Sequence, residues 1–205
     1  MPLRIAVLAS GGGTNLQAIL DQLHGGGEVE VVGVASDKAD AKALERAQVA
    51  GVENAVFPAA EFPNRMQRDL AIADWLFERE VELVVLAGYM QLLAPEFIER
   101  FRGRIVNVHP ALLPSFPGLE AVQQALDHGS TVTGVTVHFV DEGVDSGPII
   151  FQRPVPVPPS RDWSELEEQI HAIEHELLPE AIRMIAAGRV SIDPDNPRLV
   201  VIAPE

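Results

Sequence analysis

Apolar residues in the first half of the chain gather into short runs separated by stretches of helical spacing. Leu3 to Ala9 is branched and apolar at successive positions, as in a strand buried on both faces of a sheet. After the turn Ser10-Gly11-Gly12-Gly13-Thr14-Asn15, Leu16, Ile19, Leu20 and Leu23 recur at the spacing of one helix face. The rhythm repeats. Val29 to Ser36 predicts a strand, Ala41 to Ala50 a helix stopped by Gly51, Ala55 to Pro58 a short strand, and Pro63 to Glu80 a helix. Val81 to Ala87 is the most apolar strand and is therefore expected at the centre of the sheet. Pro95 opens a helix to Arg102, and Arg104 to His109 is the fifth strand. A helix from about Glu120 to His128 follows, then strands at Thr131 to Val140 and Pro148 to Val157, the second with prolines that suit an edge. A long helix runs from Asp162 to about Ala187, and Arg198 to Ile202 looks extended. Strands alternating with helices predict a single α/β domain over residues 1–205, doubly wound, with a mostly parallel sheet and helices on both faces. It is read as two halves, 1–103 and 104–205.

Thirty acidic against 15 basic residues give a formal charge of −15, and no basic run interrupts the excess. Nucleic acid and anionic membrane surfaces are thereby excluded as partners, and an anionic substrate would need a local site. The absence of cysteine rules out disulfides, thiolate catalysis and Cys-ligated metal. The first apolar run is too short for a secretory signal, and no uncharged segment approaches the ~20 residues of a membrane span. A soluble cytoplasmic protein is expected.

Two places carry candidate chemistry. The glycine turn from Gly11 to Asn15 joins a strand to a helix start, where unpartnered backbone N–H groups and the helix dipole favour an anion. It lacks the third glycine of the dinucleotide pattern and the Gly-Lys-Ser/Thr of a P-loop, so a smaller phosphate ester is expected. The competing explanation is an ordinary glycine turn capped by Thr14. The second place is Ile105-Val106-Asn107-Val108-His109, where alternation puts Asn107 and His109 on one face about 7 Å apart. Gly143 and Gly147 allow the loop Asp141 to Gly147 to turn and bring Asp145 towards the imidazole, whose pKa a carboxylate would raise from about 6.5. Asp141 competes with Asp145 for that role, and His138 is read as packing or support. His171-Ala172-Ile173-Glu174-His175 matches an inverted zincin pattern, but with no third ligand marked no metal is assigned.

Five segments, LASGGGTNLQAIL, SDKADAKALERA, VVLAGYMQLLAPEFI, NVHPALLPSFPGL and GVTVHFVDEGVDSGPII, resemble the folate-dependent formyltransferases over Arg4 to about Arg189. The glycine turn is similar to that of the branch in purine biosynthesis. The resemblance implies a mixed sheet and transfer of a formyl group from 10-formyltetrahydrofolate, a co-substrate, to the glycyl amine of a phosphoribosylated glycinamide, without a metal. It assigns Gly12, Gly13, Thr14 and Asn15 to the substrate phosphate and Glu174 to the ribonucleotide. It assigns Arg65, Met90, Gln91, Leu92, Leu93, Asn107 and the loop from Asp141 to Asp145 to the folate. Asn107, His109 and Asp145 match the catalytic trio, as formyl-oxygen donor, general acid and the carboxylate that raises the acid's pKa. Relatives often carry arginine where this chain has Gln91 and histidine where it has Glu120, and a neutral Gln91 predicts a weaker hold on the glutamyl tail. A homodimer is allowed without being required.

Three other classes compete. A formyltetrahydrofolate deformylase would use the same trio on water, but is expected to carry a regulatory domain ahead of the first strand. A methionyl-tRNA formyltransferase would need an added basic domain. A non-catalytic nucleotide-binding module would leave Asn107, His109 and Asp145 without a role.

Overall fold

The computed structural model describes residues 1–204. The chain forms two compact units, Met1–Val106 and Asn107–Glu205. In the first, β1 (Leu3–Leu8) pairs in parallel with β2 (Val29–Ser36) and with β4 (Leu83–Leu86), and β2 pairs in parallel with β3 (Asn54–Val56). Helices α1 (Thr14–Leu23), α2 (Lys42–Val49), α3 (Arg65–Phe77) and α4 (Pro95–Arg100) follow successive strands. From Ile5 to Leu8 every β1 side chain is fully buried, as its unbroken apolar run requires. Asn64 caps α3 by accepting from the Gln67 N–H at 2.9 Å, and Pro95 supplies the first turn of α4.

β5 (Ile105–His109) spans the boundary between the units. The second unit holds α5 (Ala121–Asp127), the antiparallel pair β6 (Val132–Phe139) and β7 (Ile149–Pro156), α6 (Trp163–Ala186), and a separate antiparallel pair, β8 (Val190–Ile192) with β9 (Val200–Ile202). Asp162 caps α6 through the Glu165 N–H at 3.0 Å. The seven-stranded sheet has the order β3-β2-β1-β4-β5-β6-β7, mostly parallel and mixed. β4 lies mid-sheet and proline-bearing β7 at an edge, where apolarity and missing N–H donors respectively direct them. Two elements differ from the sequence pattern. β8 is too short for alternation to mark it, and Ala59–Glu61 forms a 3₁₀ turn just after β3. Among the described residues no helix is long and apolar enough to cross a membrane.

Candidate active site

In the second unit one carboxylate gathers the candidate groups. Asp145 Oδ2 lies 3.3 Å from His109 Nδ1 and accepts the Gly118 N–H at 2.7 Å. Its Oδ1 accepts from Asn107 Nδ2 at 3.4 Å and lies 3.7 Å from His138 Nε2. Asn107 and His109 thus share the strand face that alternation predicts, and the glycine-flanked loop does deliver Asp145. Asp141 does not compete. Its Oδ1 accepts from Gly143 N–H at 3.1 Å and Ser146 Oγ at 2.6 Å, so it closes the turn that presents Asp145, whose own φ is 49°.

Hydrogen-bond logic fixes the histidines. His138 Nδ1 is 2.8 Å from the Phe139 carbonyl, which only accepts, so Nδ1 carries a proton, and Nε2 lies 3.2 Å from Asn107 Nδ2. The Asn107 carboxamide nitrogen therefore serves His138 and Asp145 together, which orients its oxygen away from both. His109 Nε2 is 2.8 Å from the Phe116 carbonyl and must donate to it. Phe116 has φ 53°, a sparsely populated conformation. His138 and the Phe116 carbonyl are the two participants that sequence patterns alone do not reveal as partners. His138 was read as packing or support without a named partner, and the other is backbone.

The titration of His109 corrects an expectation. Burial pushes the imidazole below its ordinary 6.5; the Asp145 charge and the Phe116 carbonyl pull it upward without overcoming burial, and His138 adds to the lowering. Asp145 thus favours the imidazolium, as predicted, but the net shift is down because the ring is only 4% exposed. Burial pushes Asp145 up, yet the His138 ring, the Gly118 N–H and His109 hold it below its usual 3.8.

In the first unit, Gly13 is the N-cap of α1 with φ 68°, and Thr14 is the first helical residue rather than the cap. The cap position provides no side-chain acceptor for the first-turn N–H groups. Arg46 donates from Nε to the Gly12 carbonyl at 2.9 Å and from Nη1 to Gln17 Oε1 at 2.9 Å, placing a cation beside the turn in a strongly acidic chain. A Cβ on Gly13 would stand 2.7 Å from Ala43 Cα. The strand ends are joined by Ser10, whose N–H donates to the Gly88 carbonyl at 3.0 Å and whose Oγ accepts the Met90 N–H at 2.9 Å. Arg65, Met90 and Leu92 are exposed, Gln91 is half-buried and Leu93 is buried.

Glu174 lies on α6 in a buried stripe that is otherwise apolar, between Ile170 and Leu177, and is 5% exposed. The neighbouring His171 and His175 rings stack with centroids 6.1 Å apart. Among the described residues no group of three His, Cys, Asp or Glu side chains is arranged to hold a metal ion.

Residues 3–182 match the formyl transferase family model, and the chain belongs to that family. The phosphoribosylglycinamide formyltransferase of Haemophilus influenzae is 44% identical over 190 residues, covering 92% of this chain and 90% of that protein. The crystal structure of glycinamide ribonucleotide transformylase 1 from Symbiobacterium toebii has a TM-score of 0.95 at 50% identity, over 99% of this chain and 95% of that one. The trifunctional purine biosynthetic protein adenosine-3 of Drosophila pseudoobscura pseudoobscura is 44% identical over 188 residues, but the chain spans only 14% of its length.

Proposed function

We propose that the protein transfers the formyl group of 10-formyltetrahydrofolate to the glycyl amine of 5'-phosphoribosylglycinamide in purine biosynthesis. The observation that carries this function is a single half-buried carboxylate in contact with both Asn107 and His109. When the amine attacks the formyl carbon, charge develops on the formyl oxygen. Asn107 Nδ2 donates to it by giving up its 3.4 Å contact with Asp145, the longer of its two bonds. A donor fixed in this way is worth roughly 3 to 4 kcal/mol in acyl transfer. His109 delivers its Nε2 proton to the departing folate nitrogen in place of the Phe116 carbonyl, and the proton released by the attacking amine restores the imidazolium. A depressed pKa makes His109 the stronger acid once charged, and Asp145 keeps the charged form accessible.

Incubating the protein with formyl-labelled folate, with and without the glycinamide ribonucleotide, tests this directly. Label is expected in the ribonucleotide, no consumption without it, and full activity after exhaustive chelation. Ribonucleotide-independent release of formate would instead identify a deformylase. Activity lost on chelation and restored only by zinc would implicate the His171, Glu174 and His175 helix.

The substrate phosphate is assigned to Gly12, Gly13, Thr14 and Asn15, with Glu174 contacting the ribonucleotide. Gly13→Val would strain a left-handed backbone position and press a branched Cβ onto the Ala43 backbone, displacing the turn. The expected result is a Michaelis constant for the ribonucleotide raised roughly tenfold or more, about 1.4 kcal/mol, with the folate constant within twofold. Equal increases in both constants would count against a phosphate cradle here.

A further inference from the structure

Against the segment from Gly88 to Ala94, the first unit carries a largely buried series of polar side chains that the transfer chemistry does not use. Arg68 is 2% exposed and Asp69 is fully buried. Arg68 Nε donates to Asp69 Oδ1 at 2.9 Å, and Nη2 lies 2.8 Å from the same oxygen without the alignment of a hydrogen bond. Nη1 donates to Gln91 Oε1 at 3.0 Å, and Gln91 Nε2 donates to Asp37 Oδ2 at 2.9 Å. Asp69 Oδ2 accepts the Ala94 N–H at 2.7 Å. A guanidinium can only donate and a carboxylate can only accept, so the Gln91 carboxamide has one permitted orientation, with each end committed inward. Asp69 holds the cation directly, and Asp37 reaches it through Gln91. Breaking such a buried series would leave a charge without its partner, which is why it holds its geometry.

The consequence lies in what the segment offers outward. Its side chain at 91 is tied down while Met90 and Leu92 remain 52% and 59% exposed. We propose that the Arg68–Gln91–Asp37 relay positions the 88–94 segment for formyl-folate, and that Gln91 is a specificity-determining residue because, held inward and uncharged, it leaves Met90 and Leu92 as the apolar edge that meets that ligand. This inference rests on the assignment of residues 90–93 to the folate. It also changes the expectation for an arginine at this position. Gln91→Arg removes the acceptor for Arg68 Nη1 and sets a second guanidinium against the first, so it is expected to weaken the folate interaction instead of strengthening it.

The relay can be broken and rebuilt at constant charge. Gln91→Met removes both of its bonds, to Arg68 and to Asp37, without changing the charge, and is expected to raise the Michaelis constant for formyl-folate roughly tenfold, while turnover and the ribonucleotide constant stay within about threefold. Gln91→Glu keeps the bond to Arg68 but faces Asp37 with a like charge, and is expected to raise the same constant. Combining Gln91→Glu with Asp37→Asn reverses only the direction of the second hydrogen bond, so the folate constant should return to within about threefold of wild type. Thermal melts on the same proteins separate folding from binding. Losses spread evenly over turnover and both constants, or a double variant no better than Gln91→Glu alone, would overturn the relay. A wild-type protein with no ribonucleotide-dependent use of formyl-folate would overturn the functional assignment and the relay with it, whereas an active wild type with an unmoved folate constant in Gln91→Met would overturn the relay alone.

Discussion

Asp145→Asn is expected to cut turnover by about 10² to 10⁴, the range associated with disabling a general acid. The carboxylate is the strongest influence raising the His109 pKa, and burial already outweighs it. With the charge removed the imidazolium becomes rarer still, so NMR titration should find the His109 pKa of the variant below that of wild type. His109→Asn should lose a similar factor, and the double variant little more, because groups acting as a unit are not additive. Losses that multiply, or an imidazole whose titration is unmoved by Asp145→Asn, would show that the two residues are not coupled.

The same pair sets an acid-side stability limit. A histidine with a depressed folded pKa is protonated more readily in the unfolded chain, so the stability it contributes is present above 6.5 and is lost as pH falls from 6.5 through the depressed value. Asp145, also depressed, contributes stability above its usual 3.8 that is lost as pH falls through its own folded value. In Asp145→Asn the second loss disappears while the first extends to lower pH, because the His109 pKa has dropped further. Denaturant titrations at a series of pH values would reveal that exchange.

Much of this centre was legible because its information is local. The alternation in Ile105 to His109 fixes a shared face for Asn107 and His109, and glycines 143 and 147 mark the turn that carries Asp145. The strand order was partly legible for the same reason, since an unbroken apolar run needs two covered faces and prolines need an unpaired edge. Residues that act through distant partners were not legible. Nothing in the spacing of Arg68 and Gln91, 23 positions apart, marks them as hydrogen-bonded. The depressed His109 pKa was missed because a neighbouring carboxylate can be inferred from sequence, whereas the degree of burial cannot. The Phe116 carbonyl escapes for a simpler reason: any residue type supplies one.

Gly147→Ala is expected to damage both folding and turnover although it removes no functional group. A Cβ there would overlap the Phe139 carbonyl oxygen and stand 2.8 Å from its carbon, and both atoms are backbone at the end of β6. They cannot rotate aside. Phe139 is held by its N–H donating to the Pro148 carbonyl at 2.9 Å, so the loop from Asp141 to Gly147 is the part that must move. Asp145 moves with it, and its contacts to His109 and Asn107, already 3.3 and 3.4 Å, have no slack. Overpacking of this kind costs about 1 to 3 kcal/mol, and misplacement of a reacting group by about 1 Å can cost on the order of 10² in rate. Gly143→Ala is the matched control. Its added carbon overlaps the Ser146 hydroxyl, which can rotate away at the cost of one hydrogen bond to Asp141, and stands 3.1 Å from Ser146 Cβ, a contact that a shift of a few tenths of an ångström relieves. Turnover of Gly143→Ala should therefore stay within several-fold of wild type, while that of Gly147→Ala falls by about 10² in protein that still gives a cooperative melt. Equal turnover in the two variants would mean that the position of Asp145 is not set by the packing of Gly147 against β6.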